Sequence, residues 1–405
     1  MTFFKKTINT VPLHGETVLL RADYNVPLAA DGTIADDFRI KASLPTVKKL
    51  LADGCKVVII SHLGRPEGRD MQLSLEPVAA RLAQLLGHSV RFVDQTIGDK
   101  VAMAVKRAPK RSVIVLENLR FDPREEANDA DFARALAQSS GARYFVQDGF
   151  GVVHRAHAST AAITQWLPSV AGLLLAREYT SITGAMEHPK RPLVAVMGGA
   201  KVSDKIALIK RFIEVADTVV IGGAMANTIL AHRGINVGAS KVEPDQGAVI
   251  DELYAAARAK YGDAVDERLV LPSDLAVATK IDTVEPRREV AVTAIGAHDI
   301  ALDVGSGTSE QVAKIIDHAK TVIWNGTLGM AELENFSYGS ARLALALATH
   351  PHVTSIIGGG DTADFALHWD ARGGGSFSHV STGGGASLEL MAGDKLPGIE
   401  SLLDA

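Results

Sequence analysis

Gly358-Gly359-Gly360-Asp361-Thr362 joins an apolar run, Val353 to Ile357, to a helix-like segment, Ala363 to Trp369. A strand, a glycine turn and a helix N-terminus in that order aim backbone N–H groups and the positive end of a helix dipole at one spot, which suits a phosphate. Asp361 adds a hard oxygen of the kind Mg²⁺ takes, directly or through water. A tight turn capped by Asp361 would use the same residues. Upstream, Gly198-Gly199-Ala200-Lys201-Val202-Ser203-Asp204-Lys205 follows another apolar run and sets two lysines four apart. On one helix face they repel unless an anion lies between them, and a nucleotide polyphosphate fits; ordinary surface lysines are the alternative.

The glycine turn also satisfies the loose fingerprint Gly358-x-Gly360-x-x-Ala363, which raises a nicotinamide-dependent dehydrogenase. The ribose-binding acid expected about 20 residues on is missing, because that region reads His379-Val380-Ser381-Thr382 before three more glycines. No Gly-x-x-x-x-Gly-Lys-Ser/Thr sequence occurs, so an ordinary P-loop is excluded. A Gly-x-Ser-x-Gly elbow is also absent, so covalent catalysis is not indicated.

The first half carries different chemistry. Asp23 and Asn25, then His62, Leu63, Gly64 and Arg65, then Glu117, Asn118 and Arg120, then Asp148, His154 and Arg155 each follow an apolar run. Arg21, Arg39, Arg65, Arg120 and Arg155 lie at or near such ends, and arginine grips carboxylate and phosphate through paired N–H donors. This outlines an anion site. His154 and His157, three apart with no third ligand nearby, read as hydrogen-bonded structure rather than a metal pair.

The elements that must position these residues are short β-branched runs: Thr17 to Leu20, Lys56 to Ile60, Ser112 to Leu116, Tyr144 to Val146, Leu193 to Val196, Thr218 to Ile221, Leu269 to Leu271, Thr321 to Trp324 and Val353 to Ile357. Helix-period segments alternate with many of them; Ile40, Leu44, Val47, Leu50 and Leu51 share one face before Gly54. Such alternation predicts α/β architecture with mainly parallel sheets flanked by helices, and open sheets of that kind bind ligands beyond the carboxyl ends of their strands. Strand ends change from arginine-rich to glycine-rich near residue 170, and 405 residues exceed what one core usually supports. Two Rossmann-like lobes are therefore expected: 1–170, a hinge helix over 171–187, and 188–385.

Hydrophobic residues make up 47% and charged residues 22% of the chain, as in a globular protein with a full core. The net charge is -5 and the basic residues are scattered, which speaks against nucleic acid as a partner. Cys55 is the only cysteine, so neither an intrachain disulfide nor a cysteine metal site can form, and a reducing, cytoplasmic setting is expected. No targeting segment or apolar run long enough to span a membrane is visible.

Taken together, Arg21 to Pro27, His62 to Pro66, Glu117 to Phe121, His154 to Ser159, Gly199 to Lys205, Trp324-Asn325-Gly326, Gly358 to Thr362 and Ser381 to Ser387 closely resemble, in content and order, the motifs of phosphoglycerate kinase. The resemblance runs from roughly residue 5 to residue 400. It implies reversible phosphoryl transfer between 1,3-bisphosphoglycerate and Mg-ADP, giving 3-phosphoglycerate and Mg-ATP in glycolysis. By position it implies that Asp23, Asn25, Arg39, His62, Leu63, Gly64, Arg65, Arg120 and Arg155 hold the glycerate substrate. Lys201, Lys205, Glu332, Gly359, Gly360, Asp361 and Thr362 would hold the nucleotide, with Glu332 near the ribose and Asp361 near Mg²⁺; Arg39 and Lys201 are the expected catalytic residues. A monomer that closes about its hinge, with 386–405 returning to the N-terminal lobe, is implied as well. A catalytically idle homologue using the same fold is the competing reading. Three positions depart from the family pattern: Thr327 after Trp-Asn-Gly, Ala224 in place of a third glycine, and Asp303-Val304-Gly305-Ser306-Gly307 in place of Asp-x-Gly-Pro. All three bear on the expected nucleotide lobe.

Overall fold

The structure, a computed structural model, describes residues 3–405. The chain forms two compact units, Met1–Thr180 with Asp394–Ala405, and Ser181–Gly393.

In the first unit, β1 (Thr17–Arg21), β2 (Lys56–Ile60), β3 (Val90–Val93), β4 (Val113–Leu116), β5 (Tyr144–Gln147) and β6 (Ser169–Ala171) form a parallel sheet in the order β3-β4-β2-β1-β5-β6. Successive strand side chains point to opposite faces. Val18, Leu20, Val57, Ile59, Val113 and Val115 enter one core, while Leu19, Val58, Ile60, Ile114 and Leu116 enter another. Both faces are covered, so the strands read as unbroken apolar runs rather than alternating ones. Each such side chain removed from water contributes about 1.5–3 kcal/mol before entropy is counted. The helix Phe38–Ala52 buries Ile40, Val47 and Leu50 against the first of these cores and stops before Gly54, which has φ +78°.

In the second unit, β7 (Leu193–Met197), β8 (Thr218–Ile221), β9 (Leu269–Val270), β13 (Thr321–Asn325), β14 (Thr354–Gly358) and β15 (His379–Val380) form a second parallel sheet, ordered β15-β14-β13-β7-β8-β9. Between β9 and β13 the chain makes a separate antiparallel sheet from β10 (Asp274–Ala278), β11 (Arg288–Ala291) and β12 (Ile300–Val304), ordered β11-β10-β12. None of its strands matches a run picked out from the sequence. Asp-Leu-Ala-Val-Ala and Arg-Glu-Val-Ala are short and alanine-rich or charged, and β11 is mostly exposed.

Two boundaries differ from expectation. Ser169–Ala171 is a strand paired with β5, so the connecting helix begins at Leu173 and runs to Glu187. The returning segment is shorter than 386–405: the helix Gly385–Ala392 stays in the second unit, and only Asp394–Ala405 joins the first. Lys5 fastens that segment, its buried ammonium donating to the Glu400 carbonyl at 2.8 Å, the Leu402 carbonyl at 3.0 Å and Asp404 Oδ1 at 2.7 Å. Backbone bonds from Lys6 N to Leu403 O (2.7 Å), Leu403 N to Ser169 O (3.0 Å) and Gly398 N to Val153 O (2.8 Å) complete the seam.

Candidate functional site

In the first unit the polar residues gather beyond the carboxyl ends of β1, β2, β4 and β5. Ser61 ties two of these ends together, donating from Oγ to the Ala22 carbonyl at 2.9 Å and accepting from Tyr24 N at 2.8 Å. Asn118 ties a third, since Oδ1 accepts from Leu63 N (3.2 Å) and Arg120 N (3.1 Å), while Nδ2 donates to the carbonyls of Leu63 (2.7 Å) and Leu73 (2.9 Å). Glu117, buried beneath, accepts from Ser74 Oγ, Leu75 N and Asn118 N.

On this frame Asp23 Oδ2 holds Arg39 at 2.8 Å, and Asn25 Oδ1 accepts from Gly64 N at 2.8 Å. Arg120 donates to the Gly64 carbonyl at 2.7 Å and pairs with Glu126 at 2.9 Å. Arg155 is half-buried and reaches His154 at 3.1 Å; Arg65 is exposed, with no hydrogen bond or ion pair among the described residues. Leu63 is core: its side chain is buried among apolar neighbours, so only its backbone stands near the site. Gly64 takes φ +64°, where a Cβ would press on Leu73 at 2.9 Å.

Burial, then Arg21, Arg120 and Arg39, hold the His62 imidazole well below its usual pKa, so it is neutral at pH 7. Arg21, wholly buried, lies 3.2 Å from His62 Nδ1. A guanidinium can only donate, so Nδ1 is the acceptor and Nε2 carries the proton. Arg21 also donates to Ser159 Oγ at 2.9 Å, and Ser159 in turn donates to buried Glu125 at 2.5 Å. Glu125, whose carboxyl is pushed up by burial, has no sequence signal, because it lies in a turn away from any strand end. Burial, then Arg21, Arg120 and Arg155, also lowers the His157 pKa to about 4, so the result is a cluster of arginines among neutral histidines, suited to a small multiply charged anion.

In the second unit, two glycine turns meet. Gly326 has φ +98°, and a Cβ on it would sit 2.1 Å from the Gly198 carbonyl oxygen; a Cβ on Gly198 would sit 1.9 Å from that of Thr327. Neither position admits a side chain. Gly326 N donates to Thr362 Oγ1 at 2.6 Å, so the buried Thr362 hydroxyl braces this junction and the residue faces outward through its backbone. Gly359, at φ +92°, precedes the helix Gly360–Trp369, with Gly360 and Asp361 exposed at its first turn.

Lys205 donates to the Gly198 carbonyl (2.9 Å) and Asn325 Oδ1 (2.8 Å). Burial lowers its pKa to about 8, against the opposing pull of Asp361 and Asp204. Lys201 is exposed in the preceding loop, and the helix begins only at Ile206, after a short 3₁₀ turn over Ser203–Lys205. The two lysines therefore do not share a helix face, and Lys205 is drawn in by the glycine turns instead.

Beside these groups opens a cavity of about 340 Å³, lined by Gly199, Ala200, Glu332 and Asp361 toward polar groups and by residues such as Ala224, Leu275 and Leu302 elsewhere. Glu332 and Asp361, 29 positions apart in sequence numbering, thus share one cavity. Of the three departures, Thr327 and Ala224 line it, as does Asp303. Ser306 does not; its hydroxyl donates to Glu289 at 2.5 Å. Asp303 is buried, pairs with Arg287 at 2.9 Å, and is pushed by burial to about pKa 6. Leu275, Ile300, Ala301 and Leu302 come from the antiparallel sheet, so this wall was not foreseen in the sequence. Among the described residues no group of three or more His, Cys, Asp or Glu could hold a metal unaided. Asp361 offers one exposed carboxylate beside the cavity, which suits an ion that arrives with a phosphate ligand.

A family model described as phosphoglycerate kinase matches residues 8–394. The chain is 45% identical over 406 residues to the phosphoglycerate kinase of Chloroflexus aggregans, covering 99% of each chain. It is 45% identical over 399 residues to that of Desulforudis audaxviator, covering 98% of this chain and 99% of the other. Among solved structures it is similar to phosphoglycerate kinase from Coxiella burnetii (TM-score 0.84, 34% identity) and from Pyrococcus horikoshii (TM-score 0.83, 29% identity), each alignment covering 98% of both chains.

Proposed function

The chain belongs to the phosphoglycerate kinase family, and from that premise we propose how its residues carry out reversible transfer of a phosphoryl group between 1,3-bisphosphoglycerate and ADP. The arginine cluster of the first unit takes the glycerate substrate. Asp23 orients Arg39, Asn25 and Arg120 hold the Gly64 turn in place, and His62 contributes an Nε2–H donor without adding charge. Arg65 and Arg155 retain free N–H groups for phosphate and carboxylate oxygens.

The nucleotide occupies the cavity of the second unit. Its phosphates meet the backbone of Gly359 and Gly360 and the first turn of the helix through Thr362, where N–H groups and the helix dipole favour anions. Lys201 and Lys205 neutralise phosphate charge, Glu332 takes the ribose hydroxyls, and the base lies against the apolar wall. Asp361 would hold Mg²⁺ arriving with the nucleotide, and the ion would supply further neutralisation of phosphate charge. The observation that carries this reading is the cavity of the second unit, which sets the Gly199–Ala200 backbone and the carboxylates of Glu332 and Asp361 beside an apolar wall.

In the ATP-consuming direction a carboxylate oxygen of 3-phosphoglycerate attacks the terminal phosphorus and the bond to ADP breaks. That nucleophile is already ionised at neutral pH, so no general base is needed. What the protein supplies is in-line positioning and charge stabilisation, by Arg39 from the first unit and Lys201 from the second. Direct transfer requires the two ligands to meet, so the units close during turnover, with the segment Leu173–Glu187 as the part that bends, and water is excluded then. No helix among the described residues is long and apolar enough to cross a membrane. A cytoplasmic monomer is part of the same reading.

The direct test supplies Mg-ATP and 3-phosphoglycerate and traps the acyl phosphate with hydroxylamine. Acid-dependent ADP release with trapped product is the expected result. Ligand binding without turnover would favour an idle homologue.

A further inference from the structure

Glu125 is a buried carboxylate of the first unit that the reaction leaves without a task. It sits in a turn, yet it is 0% exposed, as is Ser159, and Arg21 is 1% exposed. With water shut out, these groups must satisfy one another, since an uncompensated buried charge is costly. Both carboxylate oxygens close on Ser159: Oε2 accepts from its N at 3.0 Å and Oε1 from its Oγ at 2.5 Å. A bond from Ala158 N to the Glu125 carbonyl at 2.9 Å fastens the same two segments through the backbone. His157 Nδ1 stands 3.9 Å from Oε1, too far for a hydrogen bond, and its ring is neutral at pH 7. Ser159 has a single hydroxyl hydrogen, directed to Glu125, so its oxygen is free to accept the Arg21 Nε–H at 2.9 Å.

A guanidinium is planar and rigid, so the bond made by Nε sets where the other two nitrogens point. Nη1 donates to the Ala22 carbonyl and, at 3.4 Å, to Ser61 Oγ; Nη2 donates to His62 Nδ1 at 3.2 Å. The sense of every link is fixed, because a guanidinium only donates and a carboxylate only accepts. Moving the His62 proton to Nδ1 would bring two N–H groups face to face. Building on the glycerate reading of this unit, we propose that Glu125 and Ser159 are positioning residues for that site: through the plane of Arg21 they hold His62 with Nδ1 as acceptor and Nε2–H as the donor offered to the substrate.

The test labels histidine with nitrogen-15 in the full chain and reads the His62 ring nitrogens by long-range proton–nitrogen correlation at pH 7, with His62→Gln assigning the signals. Steady-state kinetics in each substrate accompany it. The full chain should show His62 as the Nε2–H tautomer. Glu125→Gln cannot accept from both Ser159 donors, and Ser159→Ala severs the chain of bonds. Each should give a mixture of tautomers and raise KM for 3-phosphoglycerate roughly tenfold, the effect of one buried hydrogen bond. KM for ATP should stay within about twofold, because the nucleotide residues belong to the other unit. Ser159→Thr, which keeps the hydroxyl, should restore the single tautomer. A thermal melt checks folding, and Ser159→Ala, the smaller change, carries the test where Glu125→Gln does not fold. A role in packing alone would lower the melting temperature and leave the His62 signals and KM for 3-phosphoglycerate as they are, which would overturn the proposal. An Nδ1–H signal in the full chain would overturn it too. Either result, in a chain that still binds 3-phosphoglycerate, leaves the glycerate reading intact; a full chain that binds none would overturn that reading and this proposal with it.

Discussion

The ammonium of Lys205 lies 2.8 Å from the side-chain oxygen of Asn325, 120 positions further along the chain, and so joins the end of β13 to the loop after β7. Burial brings its pKa down from 10.5 to about 8. Because the folded value lies below the unfolded one, the cost of the buried charge is present in full below about pH 8 and is relieved as pH rises toward 10.5. A phosphate placed against the amine reverses this, since it favours the charged form. ADP binding should therefore take up a proton near pH 8 to 9, and affinity should fall as pH rises through that range. Calorimetry in buffers of different ionisation enthalpy reads the uptake directly, and Lys205→Arg should abolish it.

Asp148 gives a slope of opposite sign. Its Oδ1 accepts from Leu174 N at 2.9 Å and Leu175 N at 3.2 Å, at the start of the helix that leaves the first unit. Burial first, with Glu178 adding to it, raises its pKa to about 7. The folded chain holds a proton that the unfolded chain releases near pH 4, so this contribution to stability is full below about pH 4 and is lost as pH rises to about 7. Asp148→Asn keeps the acceptor and removes the titration. Its melting temperature should change less between pH 4.5 and 7.5 than that of the unmodified chain.

Arg39 is the sharpest catalytic test. Replacing it by alanine removes a donor that Asp23 holds in place, and turnover should fall on the order of a hundredfold or more. ADP affinity should stay within about twofold, since the nucleotide residues belong to the other unit. Near-normal turnover in Arg39→Ala would remove the residue from the mechanism.

Gly326→Ala should fail for a geometric reason. The added Cβ would stand 2.1 Å from the Gly198 carbonyl oxygen at φ +98°, so one of the two turns must move. The expected outcome is loss of ADP binding with a lowered melting temperature. Gly360→Ala, which meets nothing within 4 Å, should cost far less stability and is the control for backbone effects.

Much of this was legible in the sequence because strands buried on both faces must be apolar throughout. Val57, Val58, Ile59 and Ile60 announce β2 without help from neighbours. The candidate site residues were legible because they fall just after such runs, as Asp23, His62 and Asn325 do. What escaped was built from long-range contact. Glu125 becomes part of the arginine site only through Ser159, and Leu275 and Ile300 become cavity wall only through an antiparallel sheet whose strands carry weak local preference.

The seam around Lys5 bears on how the chain acquires its form during synthesis. Residues that complete the first unit, Leu402 and Leu403 among them, leave the ribosome after every residue of the second. The second unit can assemble as one uninterrupted stretch. In the first, the Lys5 ammonium and the Val153 and Ser169 carbonyls stay open until its last segment is delivered. The first unit can therefore be completed only after the second has been synthesised.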